Sequence, residues 1–334
     1  MFEEALSWAK KKPDFAIDLG TANTLVVDKA GGVMFEQPSV CCFDGSVGAD
    51  GKLFAAGAEA QPIVGREVKR LRTVRPLRNG VLVDVRATCE LLKFALKPLT
   101  PRRRLRASRV VIGVPTDATQ AERRALGRAA HDAGLPEPML LAEPMLAAIG
   151  SGLDVAEARG RMIVDCGAGT TDIVVISLGG ICVSRSVRGG GDAVDAALIH
   201  HLHLRRQFNI GQSTAEGPKI ALSDALMSPG RSHVEVKGLD MRNGLPRVLA
   251  LDVEELRPIV ERHADEVASA VRAAFAATQP DLVSGILEDG ITLTGGAALT
   301  ALVAERIQRS TGIAVRVTDA PQRAVARGLA VVLN

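Results

Sequence analysis

The sequence has few aromatic residues and almost no net charge. Tyrosine is absent, aromatic residues make up 3% of the 334 residues, and the formal net charge is only +3. Proteins that bind nucleic acid usually carry a strongly basic domain and aromatic side chains on which bases stack. We therefore expect no nucleic-acid partner.

The chain also lacks a long apolar run and a disulfide pattern. No apolar stretch approaches the roughly 20 residues needed to cross a bilayer, and the first residues show no signal-peptide core or cleavage site. The five cysteines include no Cys-x-x-Cys pair, and an odd number cannot all pair within one chain. These features predict a cytoplasmic protein with reduced thiols.

Glycine, by contrast, is abundant, and its 33 residues are grouped at a few places. The groups lie at Gly20, at 167–169, at 189–191 and at 295–296. Apolar, β-branched segments precede three of these groups, a pattern typical of strands that end in glycine turns. Helical patterns alternate with these strands, so the sequence predicts an α/β fold.

The first glycine turn recurs half a chain later. Segment 17–24 aligns with segment 164–171, which places Asp18 and Asp165 147 residues apart. A turn of small residues after a strand presents backbone N–H groups that can bind phosphate, and an aspartate beside it can hold Mg²⁺ through water. We therefore predict two related halves that face each other across a phosphate-binding cleft. For either aspartate alone, an ordinary turn or capping role is the alternative.

Short segments along nearly the whole chain are similar to those of a known family. The most specific are 18–26 and 143–150, and the others are 75–81, 110–115, 165–171, 176–180, 191–195, 214–216 and 293–296. Through them the chain resembles the actin, hexokinase and heat-shock ATPase superfamily, and within it the MreB family of bacterial cell-shape actins. The resemblance implies an α/β, actin-like ATPase fold, in which two related RNase H-like halves form four subdomains around a nucleotide cleft.

The resemblance also implies a division of the chain. The first half covers 14–155 plus 316–334, with a small inserted subdomain at about 42–74. The second half covers 156–315, with a small inserted subdomain at about 191–253. An amphipathic segment, 1–13, precedes both halves.

For ATP and Mg²⁺, the resemblance assigns residues position by position. Asp18 and Asp165 match the acids that act at the phosphates and hold Mg²⁺ through water, and Glu143 matches the residue that positions the attacking water. The residues implied in ATP binding are Gly20, Thr21, Ala22, Asn23, Gly167, Ala168, Gly169, Thr170, Gly191, Asp192, Glu216, Lys219, Gly295 and Gly296. For Glu143 alone, the alternative is an acid at a helix start, followed by Pro144 at an early helical position.

The chain departs from the family pattern at several positions, among them 37–40, where a glutamate is usual. Ala168 and Ala297 stand where a third glycine is usual, and their Cβ atoms disfavour a positive φ. Gly217-Pro218 interrupts the segment that carries Glu216 and Lys219, so a helix that begins at Pro218 is expected there. These departures favour one alternative, a nucleotide-binding scaffold with little hydrolysis.

The implied function is a slow, Mg²⁺-dependent ATPase that polymerises head to tail into filaments. Its partners would be further copies of itself, the cytoplasmic membrane surface, and the membrane proteins of cell shape and wall synthesis. Through them it would organise wall synthesis and rod shape. A second alternative is a monomeric ATPase of the same superfamily; a chaperone of that kind would carry a further domain after the ATPase.

The first dozen residues predict attachment to the inner face of the cell membrane. On a helix, their apolar residues fall within an arc of roughly 160°: Met1, Phe2, Ala5, Leu6, Trp8 and Ala9. The lysines at 10–12 would add attraction to anionic lipid. A second contact is expected from Leu99 and Leu105 beside the arginines of 102–106. The alternative is a terminal helix that packs on its own domain or on a neighbouring subunit.

Overall fold

The computed structural model describes residues 14–30, 32–45, 51–98, 109–227 and 232–334. The membrane contacts predicted for 1–13 and for 99–106 therefore lie outside the described residues. Among the helices of the described ranges, none is both long enough and apolar enough to cross a bilayer.

The first large sheet is a five-stranded mixed sheet. Its strands are β1 (Phe15–Leu19), β2 (Asn23–Asp28), β3 (Val33–Pro38), β9 (Val110–Val114) and β10 (Met139–Ala142). They lie in the order β10–β9–β1–β2–β3, with β1 antiparallel to β2 and parallel to β9. Strand β9 is buried at every residue because helices cover both faces of the sheet.

The second large sheet repeats this arrangement. Its strands are β11 (Arg161–Cys166), β12 (Thr170–Ser177), β13 (Gly180–Arg188), β17 (Ile291–Thr294) and β18 (Val315–Val317). Their order is β13–β12–β11–β17–β18, again with one antiparallel hairpin and a parallel neighbour beside its first strand. The repeat seen in the sequence is therefore also a repeat of topology.

Smaller sheets are inserted into both parts of the chain. One contains β4 (Cys41–Asp44), β5 (Lys52–Ala56) and β6 (Leu71–Val74), and another contains β14 (Phe208–Asn209), β15 (His233–Asp240) and β16 (Leu245–Asp252). A short hairpin consists of β7 (Leu77–Arg78) and β8 (Val81–Leu82). Asn79 and Gly80 at its turn both have a positive φ, as a two-residue type I′ turn requires.

Amphipathic helices cover the sheets. They are α1 (Val85–Ala95), α2 (Gln120–Asp132), α3 (Glu143–Gly150), α4 (Gly190–Arg206), α5 (Gln212–Met227), α6 (Val253–Ala276), α7 (Pro280–Asp289), α8 (Ala301–Thr311) and α9 (Ala324–Leu333). In α6, for example, Val260, Ala264, Val267 and Val271 recur at helical spacing and are fully buried. The described cores are thus formed between sheet faces and helix stripes.

Helices α3 and α9 cross at very close range. A Cβ atom at Gly150 would lie 1.9 Å from the carbonyl oxygen of Ala324, and one at Gly328 would lie 1.9 Å from that of Leu146. Only glycine fits at both positions. This crossing fixes α3, and with it the first residue of that helix, Glu143.

The helix expected to begin at Pro218 begins six residues earlier, at Gln212, so this prediction was wrong. Proline disfavours the helical conformation of the residue before it because its Cδ atom meets the N–H and the Cβ of that residue. Gly217 has no Cβ, and this reduces the conflict. Helix α5 therefore continues through Pro218 with one backbone hydrogen bond fewer.

Candidate functional site

Two β-hairpins with the same turn lie at the centre of the molecule. In the first, between β1 and β2, the backbone N–H of Gly20 donates to the carbonyl of Asn23 at 3.0 Å. In the second, between β11 and β12, Gly167 donates to Thr170 at 2.8 Å. The two turns are therefore closed by the same hydrogen bond at equivalent positions of the repeat.

Both hairpins line one cavity of about 180 Å³. The predicted site residues on its wall are Asp18, Gly20, Thr21, Ala22, Asn23, Glu143, Asp165, Gly167, Ala168, Gly169, Thr170, Gly295 and Gly296. Residues that the sequence analysis did not assign complete the wall: Leu19, Leu77, Gly80, Pro115, Pro321, Gln322 and Val325. The structure thus brings most of the predicted site residues together around one space.

Three carboxyl groups face this cavity. Burial raises the pKa of Asp18 to about 6, and burial with the charges of Asp172 and Asp18 raises the pKa of Asp165 to about 7. The pKa of Glu143 lies well above its usual value because of burial and the charges of Asp18, Asp172 and Asp165. A cation in the cavity would relieve this repulsion.

This donor set fits a hydrated Mg²⁺ ion. In the described part of the chain, no three His, Cys, Asp or Glu side chains converge closely enough to hold a metal directly. Mg²⁺ usually keeps several water ligands and takes one or two carboxylates together with substrate phosphates. Asp18 and Asp165 are therefore the side chains of this wall that fit such an ion.

Glu143 occupies a narrow position between β9 and the cavity. It is the first residue of α3 and is followed by Pro144. A Cβ atom at Gly113 of β9 would lie 3.1 Å from the Cγ atom of Glu143, so a small residue is needed there. The helix-start position and the cavity-facing position expected for Glu143 therefore coincide in one residue.

The first residues of α4 are hydrogen-bonded to the second hairpin. The N–H groups of Gly191 and Asp192 donate to the carbonyls of Gly167 and Ala168 at 3.1 and 2.9 Å. Helix starts have free N–H groups, and here they bind the hairpin backbone. Gly191 and Asp192 therefore act on the hairpin through their main chain and are not among the residues that line the cavity.

The two glycines of the turn after β17, Gly295 and Gly296, differ in how much space surrounds them. Gly295 has a φ of +85°, and a Cβ there would lie 2.2 Å from the carbonyl oxygen of Cys166. Gly296 has no such neighbour and is open toward the cavity. Ala168 and Ala297 do not have a positive φ, so neither alanine strains its turn.

Lys219 is held in an ion pair beside the site. Its Nζ atom lies 2.8 Å from Oδ2 of Asp195 and 3.4 Å from the carbonyl oxygen of Gly191, and both charged side chains are largely buried. Glu216, one turn earlier on α5, is exposed. Neither Glu216 nor Lys219 lines the cavity; Lys219 instead ties α5 to the start of α4.

Sequence analysis missed residues that brace the first hairpin. The Ser39 hydroxyl donates to the carbonyl of Gly20 at 2.6 Å and lies 2.8 Å from Oγ1 of Thr24. The N–H of Gly80 donates to Oγ1 of Thr21 at 3.1 Å. The Asn-Gly pair between two apolar segments was a recognisable turn signal for Gly80, whereas nothing local pointed to Ser39.

Two related sheets that each contribute one glycine-rich hairpin to a shared cavity are typical of the actin-like class of nucleotide-binding folds. A sequence model of the MreB/Mbl protein family matches residues 12–334. The chain therefore belongs to the MreB/Mbl family, which confirms the family predicted from the sequence.

Individual relatives agree with this assignment. The cell shape-determining protein MreB of Escherichia coli strain K12 is 39% identical over 317 residues, which cover 94% of this chain and 91% of that protein. The cell shape-determining protein Mbl of Bacillus subtilis strain 168 is 33% identical over 321 residues, 96% of each.

Solved structures confirm the predicted actin-like fold. MreB5 of Spiroplasma citri bound to AMPPNP superposes with a TM-score of 0.87 at 28% identity, covering 96% of this chain and 95% of that one. The MamK double helical filament has the same fold, with a TM-score of 0.75 at 23% identity over 95% of this chain and 97% of that one.

Proposed function

We propose that this protein is a cytoskeletal ATPase that binds ATP with Mg²⁺, hydrolyses it slowly and polymerises into filaments on the cytoplasmic face of the membrane. The observation that carries the proposal is the pair of equivalent hairpins, closed by the same hydrogen bond, around one cavity with three carboxyl groups. Structures of MreB5 bound to AMPPNP and to ADP support nucleotide as the ligand.

The proposed chemistry follows from the cavity wall. The hairpins at 20–23 and 167–170 would bind the phosphates through backbone N–H groups and threonine hydroxyls. Mg²⁺, when bound, neutralises phosphate charge, which is much of what phosphoryl transfer requires. Glu143 would orient the attacking water, because its carboxyl group lines the cavity between the two hairpins. Asp18 and Asp165 would fix the water shell of the ion.

Hydrolysis is tested by removing the carboxylate of Glu143 and keeping its shape. Glu143→Gln should bind ATP as the wild type does while losing most of its turnover, because the backbone phosphate contacts remain. Glu137→Gln, the same substitution at an exposed position, is the matched control. Equal turnover in wild type and Glu143→Gln would exclude the water-positioning role.

Filament formation is proposed from family membership and has a candidate contact surface. Exposed apolar side chains occur near the end of the β15–β16 hairpin. Leu239 and Val248 lie on one face, Leu245 is opposite Asp240 on the other face, and Met241 directly follows β15. A charge there should raise the critical concentration in ATP-dependent sedimentation. Leu245→Asp is the test, and Leu287→Asp, at an equally exposed leucine of α7, is its control. A chain that stays monomeric with ATP and lipid would favour the monomeric ATPase.

Membrane attachment is proposed from residues 1–12 and from the basic 99–106 segment, with cell-shape and wall-synthesis membrane proteins as partners. One short helix binds a bilayer only marginally, and a filament would present many copies. Liposome co-sedimentation of wild type, a variant lacking residues 1–12, and Trp8→Glu tests this attachment. Unchanged binding across the three proteins would contradict the terminal anchor.

We propose that the cleft divides the chain near the predicted bounds, with 14–155 on one side and 156–315 on the other. The return to the first side, predicted for 316–334, begins only after β18 (Val315–Val317), because this strand pairs with β17 in the second sheet. The two equivalent sheets support this division, because each contributes one hairpin to the cavity. Limited proteolysis in the presence and absence of ATP would test it. Cleavage inside either large sheet before cleavage between the two sides would contradict these bounds.

A further inference from the structure

A short segment from the first side of the cleft contacts the second large sheet. It follows β9 and contains Thr116 and Asp117. The hydroxyl of Thr116 donates to Oδ1 of Asp172 at 2.6 Å. The hydroxyl of Ser186 donates to the same oxygen. The guanidinium of Arg188 donates twice to Oδ2 of Asp117, at 3.0 and 2.8 Å.

On the second side, these contacts are made by β12 and by β13, the strand paired with it. Asp172 and Ser186 are directly opposite each other on β12 and β13, and Arg188 is opposite Thr170, the last residue of the turn. Asp172 is only 2% exposed, so its carboxylate depends on these hydroxyl donors in place of water. The five residues Thr116, Asp117, Asp172, Ser186 and Arg188 are called the clasp below.

On the other side, the clasp is connected to Glu143 through rigid structure. Pro115, directly before Thr116, lines the cavity. Strand β9 pairs in parallel with β10, so that Val114 is opposite Ala142, the residue before Glu143. No clasp residue lines the cavity. The charge of Asp172 contributes to the raised pKa values of Glu143 and Asp165. The other clasp residues can influence chemistry by setting where the two sides lie relative to each other.

We propose that the clasp positions Glu143 against the phosphates held by the second hairpin. The inference rests on the proposed ATPase and adds positioning residues to it. Glu143, which is proposed to orient water, belongs to one side of the cleft. The second hairpin belongs to the other side. A displacement of about 1 Å between reacting groups can reduce a rate a hundredfold. Weakening the clasp should therefore reduce turnover while leaving nucleotide affinity nearly unchanged.

A charge exchange provides the test in the full-length protein. Asp117→Arg and Arg188→Asp should each lower kcat by about tenfold to a hundredfold, with the dissociation constant for ATP within about twofold. The double variant, which restores a pair of opposite charges, should recover most of the turnover. Arg128→Asp and Asp132→Arg form the matched control, since that pair lies within α2 and does not cross the cleft.

A second variant addresses the buried part of the clasp. Thr116→Val keeps the shape of the side chain and removes the donor to Asp172, so kcat should again fall with little change in affinity. Unchanged kcat in the single variants, or a double variant as slow as its parents, would overturn the proposal. A loss of ATP affinity equal to the loss of kcat/KM would also overturn it.

Amide hydrogen exchange separates failure of the clasp from failure of the proposed function. The single charge variants should raise exchange severalfold at 139–150 and 167–170, and the double variant should restore protection, whether or not the wild type hydrolyses ATP. Absence of turnover in the wild type would contradict the proposed ATPase. Unchanged exchange in the single variants would contradict the clasp.

Discussion

The ion pair between Lys219 and Asp195 gives the sharpest stability prediction. The two side chains are only 17% and 11% exposed, and their charged atoms lie 2.8 Å apart. Lys219→Met keeps the length of the aliphatic chain and leaves a buried carboxylate without its partner. Loss of one member of a fully buried pair costs about 3–5 kcal/mol, and the remaining solvent contact reduces our expectation to ~2–4 kcal/mol.

The pH dependence of this loss has a definite sign. Burial raises the pKa of Asp195 in the folded protein, and the hydrogen bond and charge of Lys219 lower it again. Without Lys219 the pKa rises further, so the folded variant takes up a proton more readily than the unfolded chain. The destabilisation should therefore be largest at neutral and higher pH and should shrink as the pH falls through the raised pKa.

Urea denaturation followed by circular dichroism measures this effect. A double-mutant cycle with Asp195→Leu should show coupling, because removing both charges leaves no uncompensated buried carboxylate. Lys237→Met, at an exposed lysine of β15, is the matched control. Ordinary surface substitutions change the free energy of unfolding by less than about 0.5 kcal/mol. A change no larger than this for Lys219→Met at pH 8 would refute the buried ion-pair argument.

Three further predictions concern glycine positions and pH. Gly295→Ala should destabilise the protein by ~2–4 kcal/mol and abolish ATP binding, because its Cβ would lie 2.2 Å from a backbone oxygen at a residue with a φ of +85°. Gly296→Ala should fold normally. Thermal melts and ATP titration distinguish the two variants. Gly150→Ala should lower the melting temperature because its Cβ would lie 1.9 Å from a carbonyl oxygen of α9. Gly127→Ala should stabilise the protein by ~0.5–1 kcal/mol, because Gly127 lies within α2 with open space around it and alanine favours a helix interior over glycine. The raised pKa values of the two hairpin aspartates, about 6 and about 7, mean that the folded state binds more protons than the unfolded chain. Stability without nucleotide should therefore fall as the pH rises from about 4 to 7, and saturating Mg²⁺ and ATP should reduce this fall in thermal melts.

The hairpins could be predicted from the sequence because their information is local. A β-branched segment, an aspartate and a small-residue turn lie within eight residues, and the motif occurs twice. The departures at Ala168 and Ala297 could not be judged in the same way. Whether a Cβ fits depends on φ and on distant neighbours, and both alanines fit without a positive φ.

The failures have physical causes as well. Pro218 was expected to start a helix because proline favours early helical positions, but Gly217 allows the helix to pass through it. The clasp could not be found from the sequence because Thr116 and Asp172 are 56 residues apart and share no motif. Ser39 was likewise invisible, since its role depends on β3 returning alongside the first hairpin.

The most direct test of the central claim is a calorimetric comparison of ATP, ADP and AMP binding to the full-length protein in Mg²⁺. If the paired hairpins bind the phosphates, ATP and ADP should bind much more tightly than AMP. Loss of two charge-assisted hydrogen bonds, each ~1.5–3 kcal/mol, corresponds to on the order of a hundredfold or more in affinity. Equal affinity for the three nucleotides, or no binding of any of them, would contradict the account.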